Sequence, residues 1–363
     1  MKLNVFLPNL DPGGAENVCV TLVNELSRSH DVTLYVNDAS GVLRSKLSGD
    51  VTLSELKFRS TFRNLFQIRS ILKASPTVSS LSFLTHQNIV VLLASLGIRR
   101  GRIVISERNN LKKDLENERL FKRLLLSFLV RTLYRLANKI VCVSEGVKQS
   151  VVECVGQSSN SMVIYNPVLN ERVSKLSDQP LEQSDKAFVG DRTLFLNVGR
   201  LEIQKNQMLL LRSFKRLNEV HKDVCLVLLG EGQERPKLEK YVEENNLGEN
   251  VRLKGFVANP FPWFKNANCF VLSSDFEGLP GVLVQALAFS ERLVSTDCPD
   301  GPKEILLEGK LGQLVPVSSV EHMVDALKNV KQGRVGFVDF EDRKLGRFSV
   351  EENVSEYQRV LFE

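Results

Sequence analysis

Residues 273–305 read SSDFEGLPGVLVQALAFSERLVSTDCPDGPKEI. An apolar run ends at Leu272, the acidic Glu277 follows, and after the turn Gly278-Leu279-Pro280-Gly281 the residues Val282, Leu283, Ala286, Leu287 and Phe289 recur at helical spacing. This order puts Glu277 at the carboxyl end of a strand and the amides of 278–282 at a helix start. Unpaired amides and the helix dipole attract an anion at such a corner, and the crevice beyond the strand ends is where open α/β sheets bind ligands. Pro280 suits the first helical turn, where its missing N–H costs little.

Outward from this corner, apolar strand runs alternate with helical patterns along the whole chain. One series comprises 3–7, 32–36, 78–83, 103–106, 139–143 and 162–164; a second comprises 193–198, 224–229, 251–253, 269–272, 293–295 and 313–315. The alternation predicts an α/β protein with two parallel sheets, each covered by helices, and 363 residues exceed what one core normally fills. Residues 1–167 form the expected first domain and 191–345 the second. The polar stretch 168–190 between them has little periodicity and reads as a linker. Ser349 and Glu352 make a capping box before the helical stripe Val350, Val354, Tyr357 and Leu361, so 346–363 reads as a terminal helix.

Hydrophobic content of 43% and charged content of 25% are those of an ordinary globular protein. Met1-Lys2 leads straight into a short strand rather than an export signal, and the longest apolar runs, such as 89–98, fall well short of a membrane span. The six cysteines lack CxxC spacing, which favours reduced thiols over disulfides, and four histidines give a metal cluster little to build on. Charge is uneven. Residues 1–167 hold 22 Lys/Arg against 13 Asp/Glu, and the rest hold 26 against 30. A basic half suits an anionic partner. The basic runs do not read as the aromatic-lined groove that binds a nucleic-acid strand, so nucleic acid is not expected.

Further candidate groups lie at strand ends. Pro12-Gly13-Gly14 follows the first strand, and its glycines allow close backbone approach, although many βα turns contain glycine. Ser106-Glu107-Arg108-Asn109-Asn110 follows another strand, and His86 opens a helix, with a structural role and a binding role both open. In the second half Gly199-Arg200 precedes Lys205-Asn206, where a forked donor and a compact cation suit a diphosphate. Gly230-Glu231-Gly232 and Gly255-Phe256-Val257 end the next two strands. The stretch 112–139 is basic and helical, with Leu120, Leu124, Leu125, Phe128, Leu129, Leu133 and Leu136 near 3.6-residue spacing. It reads either as a core helix with a solvated charged face or as an amphipathic surface that leans on anionic lipid.

Phe276-Glu277-Gly278-Leu279-Pro280 resembles the F-E-G-x-P signature of retaining GT-B glycosyltransferases of family 4, in which a second Glu stands eight positions on. Here that position is Gln285. Arg200 and Lys205-Asn206 match the family's Gly-Arg…Lys-Asn pattern, and 298–305 resembles a loop of members that transfer N-acetylhexosamines in bacterial surface-glycan assembly. The resemblance implies two Rossmann-like domains with parallel sheets facing across a cleft, and a terminal helix returning to the first. It implies a UDP-sugar donor, a lipid-linked or oligosaccharide acceptor, no required metal, and a cytoplasmic protein peripheral on the inner face of the membrane.

By the same resemblance Glu277, Arg200 and Lys205 are catalytic, with Glu107 or Arg108 standing where many members carry a histidine. Gly13, Gly14, Gly199, Asn206, Gly230, Glu231, Val257, Gly278, Leu279, Pro280 and Gln285 are donor-binding. A neutral hydrogen bond contributes about 0.5–1.5 kcal/mol and a charged one about 1.5–3, so Gln285 implies a donor site weakened by about tenfold. The rivals are a sugar-nucleotide epimerase or phosphorylase of the same fold, the latter lacking any cofactor-lysine motif here, and a GT-B protein that binds sugar nucleotides with weak or no transfer.

Overall fold

The computed structural model describes residues 1–11, 13–156, 160–334 and 344–363. The chain divides into two compact units, 1–168 with 346–363, and 169–345. The first is built on seven strands: β1 (Lys2–Asn9), β2 (Asp31–Asp38), β3 (Val51–Glu55), β4 (Ser79–Phe83), β5 (Ile103–Glu107), β6 (Lys139–Cys142) and β7 (Ser161–Val163). Their spatial order is β3-β2-β1-β4-β5-β6-β7, and every pairing is parallel. The chain starts in the middle, builds one half-sheet outward, then returns to build the other. The order therefore reverses beside β1, which fixes a ligand crevice at the carboxyl ends of β1 and β4.

The second unit repeats the plan with β8 (Thr193–Val198), β9 (Val224–Leu229), β10 (Val251–Gly255), β11 (Cys269–Leu272), β12 (Leu293–Thr296) and β13 (Gln313–Val315). These lie in the order β10-β9-β8-β11-β12-β13, again all parallel. The central strands β9 and β11 are buried along their whole length, as continuous apolar runs covered on both faces must be. The reversal here falls between β8 and β11, so the loops carrying Arg200 and Glu277 leave adjacent strands.

Three features differ from the sequence reading. Strand β3 is additional: it is an edge strand in which only Val51 is fully buried, so its polar alternation looks like a loop. The stretch 168–190 is not a bare linker. It carries the short helices Glu171–Ser177 and Gln183–Val189 and, from Leu169 on, belongs to the second unit. Asp185 anchors it there through Arg252 at 3.0 Å and Lys254 at 2.7 Å, while the Arg252 guanidinium covers the Phe188 ring at 4.0 Å. The basic stretch 112–139 is two helices, Leu111–Glu116 and Leu120–Leu133, rather than one.

The last helix, Val350–Phe362, closes the first unit. The Ser349 hydroxyl accepts the Glu352 N–H at 3.1 Å and caps it. Tyr357 and Leu361 enter the core beside Val5, Cys19 and Val23. The Ser79 hydroxyl donates to the Leu361 carbonyl at 2.7 Å, and Arg102 donates to that of Val360 at 3.0 Å, so the helix C-terminus rests on a hydroxyl and a cation. Removing a buried aromatic costs about 3–5 kcal/mol. Tyr357→Ala is therefore expected to lower the first unit's melting temperature by several degrees, with Tyr357→Phe much closer to the parent. Equal, small shifts for both in a thermal melt would contradict this account of the helix.

Candidate functional site

Strand β8 ends in Gly199-Arg200 and a single 3-10 turn, Ile203–Lys205. Asn206 then adopts a left-handed backbone with φ 43°, and its side chain accepts the Leu209 N–H at 3.2 Å, starting the helix Gln207–Val220. Asn is one of the few residues that tolerates that conformation. The turn leaves Lys205 facing the loop after β11. Because β11 pairs directly with β8, the two loops zip together: Asp275 N–H donates to the Gln204 carbonyl at 2.9 Å, Gln204 Nε2 to the Phe276 carbonyl at 2.8 Å, and Asn206 Nδ2 to Asp275 Oδ1 at 2.9 Å.

At the centre of this seam Lys205 Nζ lies 2.6 Å from Glu277 Oε1, with side chains 17% and 7% exposed. The Ser274 hydroxyl donates to the same oxygen at 2.6 Å, and Ser273 donates to the Lys205 carbonyl at 2.8 Å. A buried pair of this kind holds only because further hydrogen bonds satisfy the two charges. Beyond Glu277 the chain turns through Gly278, Leu279 and Pro280, all buried, into the helix Gly281–Phe289. A side chain on Gly301, which has φ +85°, would lie 2.8 Å from the Gly278 carbonyl and 2.7 Å from Pro280 Cδ. The loop 298–301 therefore braces the Glu277 turn. Gln285 lies half-buried on that helix.

The neighbouring strand ends complete the edge. A side chain on Gly230, at φ +142°, would lie 1.9 Å from the Gly199 carbonyl, so the loops after β8 and β9 touch backbone to backbone. Glu231 is exposed and pairs with Arg235 at 2.6 Å. Val257 lines an open hollow of about 320 Å³ with Phe256, Lys254, Asn259, Pro180 and Trp263. Arg200 is 57% exposed and holds Glu202 of its own loop at 2.9 Å. An exposed pair of this type is worth about 0–1 kcal/mol, so its guanidinium is readily recruited by a stronger anion.

In the first unit Gly13 caps the helix Gly14–Ser27, and the Glu16 carboxylate folds back onto it, within 2.0 Å of where a Gly13 side chain would begin. Gly14 faces open space, and Pro12 lies outside the described residues. Arg108 is buried, bonds to the Asn166 and Ser106 side chains, and covers the Phe83 ring at 5.7 Å. Burial pushes its pKa down, while Tyr357, Cys19 and Glu16 favour its charge. Glu107 is only 1% exposed. It accepts from Asn88 at 2.8 Å, from Thr85 at 3.0 Å and from the Tyr134 hydroxyl. Its oxygens are taken up by the interior of the unit, so its geometry is that of a buried anchor rather than of a group in contact with substrate.

The structure thus brings Lys205, Asn206, Glu277, Gly278, Leu279 and Pro280 together, with Arg200, Gly199 and Gly230 at the rim of the same sheet edge. It adds Ser273, Ser274 and Asp275, which the sequence reading missed. Their only signal was position, immediately after a buried strand and before Glu277. The partners of Glu107 gave none, since Tyr134 lies at a helix end 27 residues away.

Two parallel sheets with the same reversed strand order, one in each unit, are those of a GT-B architecture. Residues 12–172 match the model of Glycosyltransferase Family 4 and residues 178–343 that of Glycosyl transferases group 1; the chain belongs to these GT-B glycosyltransferases. It is 34% identical over 207 residues to an uncharacterized glycosyltransferase of Methanocaldococcus jannaschii, covering 56% of this chain and half of that relative. It is 28% identical over 344 residues to the N-acetylgalactosamine-N,N'-diacetylbacillosaminyl-diphospho-undecaprenol 4-alpha-N-acetylgalactosaminyltransferase of Campylobacter jejuni, covering 91% of this chain and 90% of that protein. Anabaena HepE, solved in complex with UDP, shares the fold with a TM-score of 0.81 at 16% identity, covering 99% of each chain.

Burial raises the Glu107 pKa from its ordinary 4.5 to about 7, against the hydrogen bonds from Tyr134, Asn88 and Thr85. Between those values the folded protein holds a proton that the unfolded chain releases, so this contribution to stability falls as pH rises from about 4.5 to 7 and is flat above. Asp114, raised by burial to about 6, acts in the same sense. Glu107→Gln removes only the first of these. Its melting temperature relative to the parent should rise between pH 5 and 7.5, whereas a difference independent of pH would contradict the burial argument.

Proposed function

We propose that this chain is a retaining glycosyltransferase that moves an N-acetylhexosamine from a UDP-sugar to a lipid-linked glycan acceptor, without a required metal, at the cytoplasmic face of a membrane. The observation that carries the reading is the buried Lys205–Glu277 pair at the strand-order reversal, braced by Ser274. The UDP bound to HepE supports the donor class, and the diphospho-undecaprenol named for the Campylobacter relative supports the acceptor class.

In this reading the bond from the sugar's anomeric carbon to the phosphate oxygen breaks, and its electron pair stays on the diphosphate. The acceptor hydroxyl oxygen bonds to the same face of that carbon, and its proton passes to the departing phosphate oxygen. Lys205 and Arg200 meet the negative charge as it grows, and the first amides of the helix Gly281–Phe289 add their dipole. The two cations, Lys205 held in place and Arg200 free to swing to an anion, are the basis for metal independence. Glu277 orients Lys205 and faces the positive sugar ring. Gln285 takes the place of the family's ribose-binding Glu as a neutral acceptor. Glu107 and Arg108 act in the first unit as positioning residues, through the loops they anchor.

Removing one preorganised charge donor typically costs about 100- to 1,000-fold in kcat. Lys205→Met should therefore lose transfer by that factor, and because it leaves the Glu277 carboxylate buried without its cation it should also lower the melting temperature, so the rates are compared well below the melting point of both proteins. Gln285→Glu should lower the donor KM or leave activity unharmed, and EDTA should leave the rate unchanged. NMR of the product should show the donor's anomeric configuration. An inverted product would overturn the retaining mechanism, and a rate abolished by EDTA and restored by a divalent cation would overturn metal independence.

A further inference from the structure

The helix Leu120–Leu133 is apolar on two opposite faces. Leu126, Val130 and Leu133, at i, i+4 and i+7, are buried against the first unit. Leu120, Phe121, Leu124, Leu125 and Phe128, at i, i+1, i+4, i+5 and i+8, form a stripe on the far side, and all are exposed, Phe121 by 82%. This helix has two apolar faces, and the core takes only one of them. A second exposed apolar row runs through Phe58, Phe62 and Phe66, the last 79% exposed.

A chain of contacts links the elements that carry the two rows. The Phe62 ring packs edge-on against His86 with centroids 6.2 Å apart, His86 Nε2 lies 3.8 Å from Glu118, and Glu118 holds Lys122 of the first helix at 2.6 Å. His86 sits in the first turn of the helix Thr85–Ala94, which leaves the carboxyl end of β4. The surface therefore reaches the sheet edge that carries Gly13. Apart from Glu118, which pairs with Lys122, the surface is basic. No Asp or Glu occurs between 119 and 144 or between 57 and 74, stretches that hold Arg119, Arg123, Arg131, Lys57 and Arg63.

From this combination we infer that the surface joining the helix Leu120–Leu133 to residues 58–66 docks on an anionic lipid bilayer, the apolar rows entering the acyl boundary and the flanking Arg and Lys meeting lipid headgroups. The inference deepens the reading of a lipid-linked acceptor and rests on it for its purpose: docking would hold the crevice edge of the first unit near the membrane plane, where such an acceptor is found. Charge complementarity is what selects lipid over a second copy of the chain, since two copies would oppose the same basic stripe.

The test is flotation with vesicles of phosphatidylcholine alone and with about a third phosphatidylglycerol. The full chain is compared with the doubly substituted Phe121→Ser, Phe128→Ser and with Arg123→Gln, Arg131→Gln. The parent should bind the anionic vesicles. The apolar variant should bind roughly tenfold less or worse, and the charge variant should lose most of its preference for anionic lipid, with both keeping the parent's thermal shift with UDP. Failure of the parent to float, or equal flotation of all three, overturns the docking surface while the UDP shift still reports on the donor site. A dimer of the parent that the apolar variant dissolves, seen by light scattering without vesicles and with no flotation, overturns it in favour of a self-association face.

Discussion

The buried contact between Lys205 and Glu277 is the constraint on which the second unit's functional edge depends. It joins loops 72 residues apart in sequence and 2.6 Å apart in space, and only the reversal of strand order between β8 and β11 brings those loops together. Burying two charges is costly unless each finds further partners. Ser274 supplies one for Glu277, and the seam from Gln204 to Phe276 fixes the backbone on both sides. The left-handed turn at Asn206 and the glycine brace at Gly301 serve the same end, a cation held at a strand edge with little freedom left.

The two units solve the same folding problem with different chemistry at the crevice. The second presents its charges at a loop seam. The first keeps Arg108 and Glu107 inside, anchored on Asn166, Tyr134, Asn88 and Thr85, and exposes Gly14 at its helix start. Sheet order is shared, so the contrast arises in the loops alone. Fold and site separate in this way across α/β proteins.

Much of this was legible in the sequence because buried parallel strands are continuous apolar runs. Strands β8, β9 and β11 could be bounded to the residue, since their neighbours cover both faces. The edge strand β3 could not, because a half-covered strand looks polar. The helices of 168–190 escaped for a related reason: what holds them is Asp185 against Arg252 and Lys254, charges whose partners lie about 70 residues away. At the site, Glu277, Lys205 and Arg200 were readable from local motifs, whereas the burial of Glu107 depends on Tyr134 and Asn88, which no spacing rule connects to it. The exposed stripe of Leu120 and Phe121 shows the same limit. Helical spacing identifies an apolar face but not which of two faces the core will take.

The central claim is that the edge built around Lys205 and Glu277 holds the diphosphate of a UDP-sugar. Thermal-shift binding of UDP, UDP-N-acetylglucosamine, UDP-N-acetylgalactosamine, UDP-glucose and GDP-mannose, run on the parent and on Arg200→Ala, tests it most directly. A ligand that binds only the folded state stabilises it by about 2.7 kcal/mol at a hundredfold excess over its dissociation constant. The account predicts stabilisation by a UDP-sugar that the variant loses. No shift with any UDP compound, or an undiminished shift in Arg200→Ala, would contradict it.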